Sequence, residues 1–287
     1  MGDHDFAFAR GRGVVWVCDI EASSKLLNDN KLADSVEAFL PRFHWLARIA
    51  VDASGGEFMK WTGDGFLAWF PVELDRQLGQ PSLVVLNAAW HLTVLVNVTR
   101  LAVNMMEKVK LRHGVAFERD ALVTIIEGNE GAHRDIIGRS VVLAFRMSGI
   151  SMPFPGVVAQ KEIVDAAKKL GRVPGRFKKL KINADQRLRY FKGERRGTTS
   201  LVASTEATPR RRSLNTVLKH AKAAVAKAEA ENGPDGIEID FARQLLVRME
   251  HGPPWARETI TQYVQFLRED MLASLKESLQ ALEERTN

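Results

Sequence analysis

Two alternating apolar runs, each ending on an aspartate at a turn signal, constrain this chain more than any other feature. One is Val14-Val15-Trp16-Val17-Cys18-Asp19-Ile20, and the other is Met59-Lys60-Trp61-Thr62-Gly63-Asp64-Gly65. Period-2 alternation specifies half-buried strands, and at a strand end a carboxylate can meet a divalent cation without entering the core. On that period Val15, Val17 and Asp19 share one strand face, and Phe58, Lys60, Thr62 and Asp64 share another. If the two strands are neighbours in one sheet, Asp19 and Asp64 can clamp metal ions. Taken singly, each aspartate has a plainer role, a helix N-cap for Asp19 and a turn residue for Asp64.

Up to about residue 205 strand-like and helix-like segments alternate. After the strand at 13–20, Leu26, Leu32, Val36, Phe39, Leu40, Phe43, Leu46 and Ile49 mark one helix from Ser23 or Ser24 through Val51. Gly55-Gly56 precedes a strand at 57–62, which turns through Gly63-Asp64-Gly65 into Phe66–Phe70, a hairpin with the acid at its tip. A second long helix is expected over about 84–110, then strands near 112–117 and 121–127. A short helix at 138–149, a strand at Val157–Ala159 and a hairpin near 187–203 follow. From Arg210 the composition turns to Ala, Lys, Glu and Leu, punctuated by Gly233-Pro234 and Gly252-Pro253-Pro254. The expected organisation is a domain over 1–205 and a helical appendage over 206–287.

The chain of 287 residues is 45% apolar and 26% charged, enough for a sizeable core in a globular protein. Its one cysteine, Cys18, excludes an internal disulfide, reads as a small buried hydrophobe and fits a reducing, cytoplasmic setting. The acidic start Met1–Asp5 has no apolar signal core. The most membrane-like run, Leu83–Val103, carries Asn87, His91, Asn97 and Arg100, so it reads as a buried amphipathic helix and no membrane partner is expected. The formal charge of +6 is concentrated in runs such as Arg176–Lys181 and Arg210-Arg211-Arg212. Phe177 is the one aromatic within the two runs named, too few for an interleaved pattern, which argues for solvated surface over a nucleic-acid interface. His133-Arg134-Asp135 imitates a kinase catalytic loop, but position 140 is serine and no DFG follows.

Three ordered blocks carry a resemblance. Asp19-Ile20 followed by Ser23-Ser24, then Gly56 through Lys60 to Gly63-Asp64-Gly65-Phe66, then Asp135-Ile136-Ile137-Gly138 through Ala144-Phe145-Arg146, resemble the class III nucleotidyl cyclase catalytic domain over about residues 10–205. The resemblance implies an α/β (α+β), ferredoxin-like sandwich that works as a head-to-tail homodimer on a nucleoside triphosphate, with two Mn²⁺ or Mg²⁺ ions per site. It implies metal ligands at Asp19, Asp64 and the Ile20 carbonyl, with the segment through Ser23 and Ser24 opening a helix toward the phosphates. It implies base reading by Lys60 and Asp135, and Arg146 stabilising charge on the phosphate.

Departures from the pattern refine the expectation. Val142 stands where the family has an asparagine, and Arg139, one turn earlier on the same face, can lean into that space. Ala116 and Glu118 stand where a small polar residue and a glycine are common. The free-standing form, helical tail and missing asparagine resemble the pyrimidine cyclases of bacterial Pycsar antiphage systems, which make cyclic UMP or cyclic CMP as an alarm signal. UTP is therefore the expected substrate; an adenylate or cytidylate cyclase, or a silent nucleotide-binding dimer, is the alternative.

Overall fold

The computed structural model describes residues 6–204, apart from 30, 104, 106–108, 129–130, 151–155, 172, 174–175 and 182–199, together with 252–256 and 259. Among them eight strands form one mixed sheet flanked by helices. In chain order the elements are β1 (Phe6–Ile20), α1 (Ser23–Leu27), α2 (Ala33–Ala53), β2 (Glu57–Trp61) and β3 (Gly65–Pro71). Then come α3 (Gly79–Ala102), β4 (Leu111–Gly128), β5 (Gly131–Ile137), α4 (Arg139–Ser148), β6 (Gly156–Gln160), α5 (Lys161–Leu170), β7 (Phe177–Lys179) and β8 (Leu201–Ser204). The spatial order is β2-β3-β1-β4-β6-β8-β7. β4 pairs with β1 on one edge; on the other it pairs with β6 at Arg112–Val115 and with β5 at Leu122–Gly128.

The alternation read from sequence sorts the core into two layers. Trp16, Cys18, Phe66, Ala68, Val115 and Phe117 join α2, α3 and α5 on one face. Val15, Val17, Leu67, Trp69 and Ala116 join α4 on the other. Asp19 continues the period of Val15 and Val17, so it lies on the α4 face. Cys18 is buried as expected, and burial pushes its thiol well above the ordinary range, so it stays neutral.

Several elements differ from expectation. The single helix over Ser23–Val51 is two helices, because Asp29 Oδ1 accepts the Lys31 N–H at 3.0 Å and turns the chain between them. α3 begins earlier and is buried nearly all round rather than amphipathic. Among the described residues no helix is long and apolar enough to cross a membrane. The two strand segments at 112–127 are one 18-residue strand. Asp135 sits on a strand, β5, and α5 was not anticipated. The closing hairpin pairs β8 with β7, and residues 187–199 lie outside the described residues. So does most of the appendage, although Trp255 packs edge-on against Trp45 of α2, 5.1 Å between centroids, beneath the Arg42 guanidinium.

A buried polar chain pins β4 to α3. Trp16 Nε1–H donates to His113 Nδ1 at 3.2 Å, and Thr93 Oγ1 lies 3.0 Å from His113 Nε2. The Thr93 hydroxyl proton goes to the Ala89 carbonyl, so the imidazole carries its proton on Nε2 and donates to Thr93. Burial lowers the His113 pKa to about 3. The folded value is below the unfolded one of about 6.5, so between these the unfolded chain binds a proton that the folded chain refuses. Stability is expected to fall as pH drops from 6.5 toward 3, by about 1.4 kcal/mol per pH unit from this residue. Urea unfolding of His113→Gln across that range should show a shallower slope than wild type; identical slopes refute the assignment.

Candidate functional site

Asp19, next to last in β1, lies directly opposite Gly65 of β3 and Arg112 of β4. A β-carbon at Gly65 would collide with the Cys18 carbonyl oxygen, so only glycine lets β3 run this close to β1. One residue earlier, Asp64 occupies the turn that Gly63 makes with a left-handed φ of 87° and that the Thr62 N–H···O=C Gly65 bond of 2.9 Å closes. The two carboxylates are thereby neighbours. Burial raises the Asp19 pKa, the charge of Asp64 and a hydrogen bond with it act in the same direction, and Arg112 opposes them. A neighbouring carboxylate that disfavours the charge of Asp19 is what a divalent cation relieves.

The donor set fits Mg²⁺ or Mn²⁺. Among the described residues no group of three or more His, Cys, Asp or Glu side chains converges on one point, which argues against an all-protein cage. Mg²⁺ suits a pair of carboxylates, since it takes its remaining ligands from water and substrate phosphates. Ile20, expected to add its carbonyl, closes β1 and has a buried side chain. Ser23 and Ser24 open α1, which is only five residues long and preceded by Ala22 at a φ of 57°.

Lys60 reaches the α4 face by a route the sequence concealed. The ladder slips at Met59, so Phe58 faces Ala68 of the helix-side layer while Lys60 faces Leu67 of the α4-side layer. The expected common face of Phe58 and Lys60 is thus broken by a β-bulge. Lys60 Nζ donates to Asp135 Oδ2 at 2.6 Å, and Asp135 Oδ1 accepts the Ile136 N–H at 2.8 Å. The structure therefore brings together both expected pairs, Asp19 with Asp64 and Lys60 with Asp135.

α4 lies directly on β4, where a β-carbon at Gly114 would strike the Ala144 carbonyl oxygen. Its inward face is Ser140, Val141, Leu143, Ala144, Met147 and Ser148. Arg139 and Val142 are exposed and Arg146 is half-buried, one stripe at i, i+3 and i+7. Val142, 49% exposed, presents an apolar side chain where the resemblance implies a hydrogen-bonding one.

Two residues were missed as site builders. Arg112 ion-pairs with Asp19, and its Nε is buried without a hydrogen-bond partner. In sequence Arg112 is one of several charged residues in β4, and its register against Asp19 emerges only from the sheet. Glu118, noted only as a departure, is buried and accepts the Ser140 N–H at 2.6 Å. It caps α4 from the neighbouring strand, filling space that Gly138 leaves open.

No protein-family model matches the sequence, and no curated protein matches it either. The fold does match solved structures. The adenylyl cyclase CyaB from P. aeruginosa is 17% identical with a TM-score of 0.54, over 71% of this chain and 98% of that one. The guanylyl cyclase Cya2 is 14% identical with a TM-score of 0.52, over 68% of this chain and 92% of that one. The chain has the mixed α/β fold of these catalytic domains.

Gly65→Ala should force β3 away from β1, at a cost of about 1–3 kcal/mol for overpacking. Mn²⁺ binding by calorimetry should weaken in the same variant, since the wedge separates Asp19 from Asp64. Unchanged stability and Mn²⁺ affinity would refute the close-approach account.

Proposed function

We propose that this protein is a class III nucleotidyl cyclase, converting a nucleoside triphosphate to its 3′,5′-cyclic monophosphate and pyrophosphate. The observation that carries the reading is the juxtaposition of Asp19 and Asp64 on the α4 face of a sheet that also bears the Lys60–Asp135 pair. The ribose 3′-oxygen must attack the α-phosphate in line while pyrophosphate departs. Asp19 and Asp64 would hold two divalent ions, which when bound would supply activation of the attacking oxygen and neutralisation of the triphosphate. Lys60 donates to the base edge and Asp135 accepts from it, so a mismatched base leaves a polar group unmet. Arg146 donates to phosphate oxygens where charge develops, and Arg139 extends the same stripe. Arg112, beside Asp19, adds a guanidinium near the phosphates.

The active unit is proposed as a homodimer in which Asp19 and Asp64 of one protomer face Lys60, Asp135 and Arg146 of the other. We further propose UTP as the preferred substrate and cyclic UMP as a second messenger. The support is the α4 stripe, where Val142 removes a hydrogen-bonding side chain and Arg139 offers donors to a small, carbonyl-rich base. The antiphage role is carried by the resemblance to Pycsar cyclases alone. A silent nucleotide-binding dimer is the second reading, favoured by Val142, and metal-dependent pyrophosphate release separates the two.

Purified protein with Mn²⁺ and each of ATP, GTP, CTP and UTP, with products identified by mass spectrometry, tests this directly. Cyclic UMP should dominate; cyclic AMP as the main product would overturn the pyrimidine reading. Asp19→Ala and Asp64→Ala should each abolish turnover with the fold intact, and full activity in either would sink the metal assignment. An Asp64→Ala protein mixed with Arg146→Ala should regain activity once subunits exchange, because one complete cleft re-forms. Verified exchange without recovery would exclude a shared site.

A further inference from the structure

A cation-rich cavity runs along β2, and apart from Lys60 its lining plays no part in the chemistry above. Its volume is about 530 Å³, and Arg48 of α2, the whole of β2 from Glu57 to Trp61, and Arg134 of β5 line it. That size falls within the roughly 300–1,000 Å³ of small-molecule sites. β2 is an edge strand, so no further strand closes this side among the described residues. Lys60 belongs both to the cavity and to the Lys60–Asp135 pair, so the two are contiguous.

Donors outnumber acceptors there. Arg48, Lys60 and Arg134 stand beside two carboxylates, Glu57, which accepts from Arg134 Nη1 at 3.1 Å, and Asp135, which accepts from Lys60 Nζ at 2.6 Å. The Arg48 guanidinium lies 5.5 Å from the centroid of Phe58, over an apolar wall. A carbonyl oxygen entering this cavity meets three cationic donors, whereas an amino group meets those cations and two carboxylates that already accept from Lys60 and Arg134. The position of Arg134 is also fixed. β2 and β5 share no ladder, and the Glu57–Arg134 and Lys60–Asp135 pairs bridge them.

We propose that Arg134, oriented by Glu57, is a further base-recognition residue beside Lys60 and Asp135, selecting a base with a carbonyl oxygen at its reading edge. That class is uracil or guanine, against cytosine and adenine. The inference rests on the cyclase reading of the same site, and its test separates the two. The 3′-deoxy analogues of the four triphosphates lack the attacking oxygen, so their binding, measured by calorimetry with Mn²⁺, is read apart from turnover.

Wild type should bind the uridine or guanosine analogue about tenfold tighter than the cytidine and adenosine analogues, with the first two arms showing which carbonyl base fits. Arg134→Met should bring the four within about twofold, and Arg134→Lys should keep part of the preference. The Arg134 side chain is 52% exposed, so neither change threatens the core. The charge-reversed pair Glu57→Arg with Arg134→Glu restores the ion pair but not the donor at 134, and should not restore the preference. Wild-type preference retained in Arg134→Met, or recovered in full by the reversed pair, overturns the proposal. No turnover of any ordinary triphosphate by wild type would instead defeat the cyclase reading, while the analogue ranking would still report on Arg134.

Discussion

Beside Asp19 the backbones of β1 and β3 approach so closely that position 65 has no room for a β-carbon. The same contact sets the register that places Asp19 opposite Gly65 and lets the turn present Asp64 next to it. On the other edge of β1, the register with β4 puts Arg112 against Asp19. Gly114, two residues along the same strand, lets the α4 backbone settle directly on the sheet. One glycine brings the acids together, and the other brings the arginine stripe of α4 to the same face.

What resists distortion here lies on the opposite face. Trp16 alternates with Val15 and Val17, so the strand that ends in Asp19 is anchored through the Trp16–His113–Thr93 chain to α3. His113 in turn directly follows Arg112. A neutral, fully hydrogen-bonded imidazole is compatible with that burial; an imidazolium is not. The strand that carries Asp19 is therefore held from behind by a buried hydrogen-bonded chain as well as along both its edges.

The period-2 runs, the glycines of the turn and the order of the three blocks were legible from single residues, because each is a local backbone requirement. Asp19 and Asp64 came from that reading and Lys60 and Asp135 from the resemblance; the structure places Asp19 beside Asp64 and Lys60 against Asp135. The bulge at Met59 was not legible, since strict alternation puts Phe58 and Lys60 on one face and only the ladder shows the slip. Arg112 and Glu118 were missed for another reason. Their roles are set by partners 93 and 22 residues away, and no local pattern encodes such pairs. The break between α1 and α2 was written in Asp29, whose turn chemistry overrode the apolar stripe.

Under the proposed cyclase reading, charge distribution ties these pieces to a cleft shared between two copies. The acids Asp19 and Asp64 crowd one end of β1 and β3, and burial together with mutual repulsion raises the Asp19 pKa. The cations form two other groups, Arg139 and Arg146 on α4, and Arg48, Lys60 and Arg134 around β2. A nucleoside triphosphate needs both kinds of surface, acids to hold the ions that neutralise its phosphates and donors to read its base and stabilise the departing oxygens. Two copies arranged so that the acidic end of one meets the basic groups of the other satisfy that need twice. The same attraction favours the antiparallel orientation over like ends together. On this view a homodimer is the way one chain presents opposite charges to opposite ends of one substrate.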